Sequence, residues 1–229
     1  VFTRRTMHRQ KAHLTLSAIY HRVAEWGDRV EFHRAASYRE VLTGRDIEVI
    51  NPPSHGLRAM VDELSHHATV RVVESRGFVT TEEQFAAWAA GRKPSSLVME
   101  NFYRDVRVRE NILMAPGPNG TLEPVGGAYN FDHDNRQPPP KGQATLGLPT
   151  PVWPTEDDID QWVRRELDDM AASGQARFIG QDGPRLFPVT RDEALVALED
   201  FLDHRLADFG PYEDAAMPDD WAMAHSLLS

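Results

Sequence analysis

Residues 46–73 read DIEVINPPSHGLRAMVDELSHHATVRVV, and the period of the apolar residues changes along them. Asp46–Ile50 is rich in β-branched residues, and Asn51-Pro52-Pro53 stops it, because proline has no N–H to give a ladder. From His55 to His67 the apolar residues Leu57, Met60, Val61 and Leu64 recur at helical spacing. Thr69–Val73 returns to a strand pattern. Strand, helix and strand in about 30 residues is the signature of a βαβ unit, and it predicts a parallel sheet of Rossmann-like, α/β type.

Working outward, residues 11–26 predict an amphipathic helix carrying Leu14, Ala18, Val23 and Trp26, with Gly27 as its stop. Arg29–Arg34 alternates as a strand would, and Tyr38–Leu42 predicts a short helix. No strand is legible ahead of the first helix, and the chain opens on Val1 rather than Met. The expectation is a domain whose first strand is missing. Downstream, Thr81-Glu82-Glu83-Gln84 is a capping box ahead of Phe85 and Trp88. Residues 97–114 read as helical, with Phe102 and Val106 inward. Residues 115–154 are a long Gly- and Pro-rich stretch, the kind that is either a linker or functional. Thr155 is expected to cap a helix over Glu156–Ala172. Thr190-Arg191-Asp192-Glu193 is a second capping box, opening a helix that runs to Gly210-Pro211. The resulting division is 1–93 as an α/β domain, 94–154 as an interdomain helix and loop, and 155–229 as the first helices of an all-α domain, cut within its last helix.

Composition narrows the chemistry. The 229 residues hold 41% hydrophobic side chains, enough for a core, and no apolar run of bilayer length. There is no cysteine, so a disulfide, a thiolate nucleophile and a cysteine-held metal are all excluded within this sequence, as suits the cytoplasm. The net charge of −10 is uneven. Residues 1–115 carry 17 Lys and Arg against 14 Asp and Glu, a balance of +3. Residues 116–229 carry 8 against 21, a balance of −13, which is the reverse of a phosphate-gripping face.

The ten histidines form no His-Glu-x-x-His pattern and read as structural or exposed, with no metal site. Gly117–Gly120 and Gly126-Gly127 match neither phosphate-loop pattern and read as turns. The run Gly126–Arg136 is dense in Asn, Asp and Arg and could organise a hydrogen-bonded site. His225-Ser226-Leu227-Leu228-Ser229 puts two hydroxyls three residues apart on one helix face, a spacing that suits a phosphate.

These motifs occur in a recognisable order. His8-Arg9-Gln10-Lys11, Phe85–Lys93, Met99–Arg104, Gly126–Arg136, Pro188–Arg191, Phe209-Gly210 and His225–Ser229 together resemble the bacterial iron–sulfur photolyase and cryptochrome family. The resemblance implies an α/β antenna domain, a linker and an all-helical domain binding FAD. It implies a [4Fe-4S] cluster held by cysteines outside this sequence, and a lumazine-type antenna. In repair members, light-excited reduced FAD passes an electron to a pyrimidine (6-4) photoproduct in DNA. The matching positions assign Tyr212, His225, Ser226 and Ser229 to FAD, and Asn130, Asp132, Asn135 and Arg136 to the loop on the lesion side. His8 and Lys11 are remote antenna candidates. Tyr129 stands where the family has Trp, and Ala128 where it has Arg. The alternatives are a cryptochrome-like photoreceptor without repair and a cofactor-free α/β interaction module. The 229-residue chain alone is expected to be inactive.

Overall fold

The computed structural model describes residues 6–135, 137–142, 145, 147, 149–212 and 215. In chain order these form β1 (Met7–His8), α1 (Arg9–Trp26), α2 (Tyr38–Leu42), β2 (Asp46–Ile50), α3 (His55–Ser65), β3 (Thr69–Val73), α4 (Glu82–Ala89), α5 (Met99–Arg109), β4 (Met114–Pro116), β5 (Leu122–Pro124), α6 (Asp158–Ala172), β6 (Phe178–Ile179), α7 (Arg191–His204) and α8 (Leu206–Tyr212). Contacts divide the chain into two units, one of Val1–Phe32 with Phe131–Ser229 and the other of His33–Asn130.

In the 33–130 unit, β2 and β3 pair in parallel with Asp46 opposite Thr69 and Ile50 opposite Val73, and α3 connects them. Ser54 caps α3 through its side chain, and Val61 and Leu64 are the helix's buried residues. Thr81 and Gln84 make the expected capping box on α4. Phe102 on α5 is buried, and the rings of Phe85 and Trp88 each lie 5.1 Å from it. Rings at this separation add about 0.5–1.5 kcal/mol beyond their area. β4 and β5 form a short antiparallel pair. α5 stops at Arg109 rather than near 114, because Asn111 and Leu113 take positive φ of 53° and 49°. A left-handed residue cannot continue a right-handed helix.

In the other unit, α1 packs on α6 around Ala12, Leu16, Val163 and Leu167, all buried. Burying side chains such as Leu167 and Val163 stabilises by roughly 1.5–3 kcal/mol each. The Tyr20 ring meets Trp162 edge-on at 4.4 Å, and its hydroxyl donates to Glu166 Oε2 at 2.9 Å. Gly27 ends α1 at φ 51°, where its lack of a Cβ permits the turn. A two-residue strand, β1, precedes α1 and pairs in parallel with β6.

Further boundaries differ from the sequence reading, and the helix expected from Thr190 to Gly210-Pro211 breaks at Arg205 into α7 and α8. Arg29–Arg34 forms no strand: a short 3₁₀ turn ends at Arg29 and irregular chain follows. Alternation makes a ribbon with two faces, but a strand needs a neighbour's N–H and C=O groups, and none of the described strands pairs with it. The cap of α6 is Asp157 rather than Thr155. Its Oδ1 accepts from Ile159 N at 2.9 Å and Asp160 N at 3.2 Å, and Asp160 Oδ2 accepts from Asp157 N in return. Among the described residues no helix is long and apolar enough to cross a membrane.

Candidate functional site

The end of α5 and the chain after β5 are joined by one guanidinium. Arg107 is 4% exposed, yet no carboxylate pairs with it among the described residues. It donates instead to three backbone carbonyls: Nε to Ile112 at 3.1 Å, Nη1 to Tyr129 at 2.6 Å and Nη2 to Leu113 at 2.6 Å. The flat fork of arginine suits this task, since its donors are fixed in direction. Arg107 thereby holds the strained turn at Leu113, whose side chain is exposed although its backbone is left-handed. A left-handed non-glycine residue costs roughly 1–2 kcal/mol, and such strain persists only where neighbouring contacts impose it.

Tyr129 is covered from the same helix. Arg104 lies 5.2 Å and Arg107 5.5 Å from its ring centroid. Arg104 Nε also donates to Glu100 Oε1 at 3.0 Å, a pair one turn apart. The Arg104 hydrogen bond, assisted by one from Asn130, holds the Glu100 carboxyl below its ordinary value. Asn130 is thus oriented by α5 through Glu100.

The second part of the loop belongs with α8. The Phe131 carbonyl accepts from Asp134 N at 2.8 Å and Asn135 N at 3.3 Å, which closes a turn. Gln137 N then donates to the Pro211 carbonyl at 2.7 Å. Carbonyls in the last turn of a helix have no donor within the helix, so Pro211 is free to accept. Asn135 Oδ1 stands so near Gly210 that a Cβ there would sit 3.3 Å from it. The loop bearing Asp132 and Asn135 is therefore tied to the short helix that ends in Tyr212. Asp132 is exposed, while Asn135 and Tyr212 are half-buried.

A family profile described as deoxyribodipyrimidine photo-lyase-related protein matches residues 1–177. This chain belongs to that family. Over 197 residues it is 36% identical to a protein named (6-4) photolyase from Agrobacterium fabrum strain C58. The match covers 82% of this chain and 35% of that relative, so the chain spans about a third of the relative's length.

For this photolyase-related chain, the positions named from sequence fall into three groups. Asn130 is drawn in by α5, and Asp132, Asn135 and Tyr212 are gathered at the α8 corner. Arg136, His225, Ser226 and Ser229 lie outside the described residues. Of the four positions expected to hold FAD, Tyr212 alone lies among the described residues. His8 accepts from Gln10 N at 3.2 Å as the cap of α1, and Lys11 is exposed on the next turn.

Sequence reasoning missed the densest polar cluster. Arg185, 4% exposed, donates through Nε to both Asp160 oxygens at 3.0 and 3.1 Å. Its Nη1 reaches Glu193 Oε2 at 2.9 Å and the Phe187 carbonyl at 3.0 Å. Its Nη2 reaches Glu193 Oε1 at 2.9 Å and the Thr155 carbonyl at 3.0 Å. All five N–H groups are matched. Asp160 and Glu193 are the N3 residues of the capping boxes on α6 and α7. The Thr190 box was legible, whereas the Asp157 box, expected instead as a cap at Thr155, and the arginine joining the two were not. Burial pushes both carboxyls up, but hydrogen bonds outweigh it and hold both below their ordinary values. For Asp160 these come from Ser17 and Arg185, for Glu193 from Arg185 and Val189 N.

His21, Asp157 and Asp160 offer three ligand-type atoms within 4.8 Å of one another. His21 Nδ1 lies 2.7 Å from the Ser17 carbonyl and its Nε2 3.1 Å from Asp157 Oδ2. Both Asp160 oxygens already accept from Arg185, so a guanidinium stands where a cation would need to be. A surface groove of about 680 Å³ lies beside Trp88, Arg92, Asp105 and Arg109. Its charges are engaged, since Arg92 stacks 4.5 Å above Trp88 and Arg109 pairs with Asp105 and Glu110.

Proposed function

We propose that this chain is the front part of a photolyase that repairs pyrimidine (6-4) photoproducts in DNA. The observation that carries the reading is the 36% identity, over most of this chain, to a protein named (6-4) photolyase. FAD, when bound and reduced, would supply the light-driven electron transfer that this repair needs. Tyr212, His225, Ser226 and Ser229 are the residues of this chain that would hold it. Asn130, Asp132, Asn135 and Arg136 are the residues of this chain that would face the lesion; Arg107 holds the chain at Tyr129, and α8 holds it at Gln137. Orienting such groups in advance saves ordering cost when a flipped nucleotide enters. We further infer that β2, α3 and β3 are part of a Rossmann-like antenna domain, a reading supported by their parallel pairing. A [4Fe-4S] cluster would draw its ligands from outside this sequence, which has no cysteine.

The test uses the protein that carries this chain, reduced and illuminated with blue light on DNA bearing a (6-4) lesion. Loss of the lesion is expected, and Arg107→Lys should lower the rate while leaving flavin absorbance intact. A flavin-loaded protein that leaves the lesion untouched would overturn the reading. It would favour a cryptochrome-like photoreceptor, which the −13 balance of residues 116–229 also favours, since that half lacks the basic surface of a DNA grip.

A further inference from the structure

Asn130 follows a residue that α5 holds twice. Arg107 Nη1 donates to the Tyr129 carbonyl at 2.6 Å, and the Arg104 guanidinium lies 5.2 Å from the Tyr129 ring centroid. The Asn130 side chain returns to the same helix and hydrogen-bonds Glu100, whose Oε1 also accepts from Arg104 Nε at 3.0 Å. Glu100, Arg104 and Arg107 stand four and three residues apart, so they share one face of α5. Asn130 is therefore placed through the backbone of its neighbour and through its own side chain.

The partner fixes the polarity of the amide. A primary amide has a donor end, Nδ2, and an acceptor end, Oδ1, of nearly the same shape, and only the hydrogen-bond network tells them apart. An ionised carboxylate can only accept. The Arg104 pairing holds Glu100 in that ionised form. The end of Asn130 that meets Glu100 is thus Nδ2. Oδ1 remains as the other end of the amide, on a side chain that is only half-buried.

We propose that Glu100 is a positioning residue, and that by holding Nδ2 it makes Asn130 an acceptor that reads an imide N–H of the flipped pyrimidine. The inference rests on the reading of Asn130 as a lesion-side residue. A nucleotide taken out of the stack is read by hydrogen bonds to its pairing edge. A thymine-type ring offers an N–H there, which matches Oδ1. A ring nitrogen without hydrogen, as in cytosine, would set one lone pair against another, so the site selects thymine-type lesions at this position.

The experiment uses the flavin-loaded protein that carries this chain. It measures binding to a duplex with a (6-4) lesion, to the same lesion methylated on the imide nitrogen, and to the undamaged duplex. Methylation should weaken wild-type binding about tenfold, the worth of one good hydrogen bond. Asn130→Ala should bind the two lesions about equally. Glu100→Ala frees the amide to turn and should lose most of the discrimination. Asn130→Asp together with Glu100→Gln should regain it. The new glutamine can accept from Arg104 and donate to the new aspartate, whose other oxygen then replaces Oδ1 at unchanged total charge. Should Glu100→Ala fail to load flavin, this exchange decides. Wild-type protein that prefers the lesion to undamaged DNA yet ignores the methyl group would overturn the inference and leave the photolyase reading standing. Full discrimination in Asn130→Ala or Glu100→Ala, or none in the exchange, would overturn it too. Wild-type protein with no preference for the lesion would overturn both.

Discussion

Arg185 and Arg205 are both arginines buried in the same unit, at 4% and 2% exposure, and their surroundings differ. Arg185 has every N–H matched, by two carboxylates and two carbonyls. Arg205 has one carboxylate, and its other two nitrogens meet no acceptor among the described residues. A buried charge is tolerated when pairing and hydrogen bonds offset its desolvation. The first arginine meets that condition with its own chain, and its role is to lock α6 to α7. The second meets it less completely, through the single carboxylate of Asp200 among the described residues.

Several changes would break or sharpen this contrast. The largest effect is expected at Arg185. Arg185→Met should cost about 3–5 kcal/mol in urea unfolding, because Asp160 would be left buried, and Glu193 half-buried, without their partner. Adding Asp160→Leu and Glu193→Leu should recover much of the loss. A single-variant cost below about 1 kcal/mol would end the distinction between the two arginines.

Acid should separate the two sites next. Asp160 and Glu193 are held below their ordinary values when folded, so their contribution is present above the unfolded-state values of about 4. It is lost as pH falls through the lower folded values. Unfolding midpoints measured from pH 7 to pH 2 should drop below about pH 4, and the drop should flatten in Arg185→Met.

Arg107→Lys should cost about 1–3 kcal/mol, since a single ammonium cannot reach three carbonyls in the directions the fork does. Amide exchange at Ile112 and Val125, which bond across the strained turn, should accelerate, while exchange in α3 stays unchanged. Gly210→Ala should cost less than about 1 kcal/mol, because Asn135 can give way by a few tenths of an ångström. Exchange at Gln137 N should rise if the loop and α8 are coupled as described. The smallest effect is expected for the Arg71–Glu48 pair across β2 and β3, whose side chains are 73% and 49% exposed. Arg71→Ala should change stability by less than about 0.5 kcal/mol.

How much was legible in advance follows from the range of the interactions. β2, α3 and β3 were readable to within a residue or two, and so were the capping boxes at Thr81 and Thr190, because period and capping depend on neighbours in the chain. The strand expected at Arg29–Arg34 failed for the opposite reason, since a ladder needs a partner that local alternation does not supply. The α6 cap was misplaced by two residues because Thr155, Asp157 and Asp158 all carry capping side chains. The site shows the same split. Asn130, Asp132, Asn135 and Tyr212 were candidates from motif order, while no local pattern singled out Arg107, Arg185 or Arg205.

The sequence by itself determined the family, the alternation of strand and helix, the helix caps and the absence of any cysteine chemistry. These rest on residue identity and on contacts a few positions apart. Only the tertiary structure decided which arginines are buried and what each one meets. Arg185 lies 25 residues from Asp160, and Arg107 lies 22 residues from Tyr129. Whether a guanidinium is matched or left open depends on where distant backbone carbonyls and carboxylates come to lie, and no local pattern in the chain encodes that.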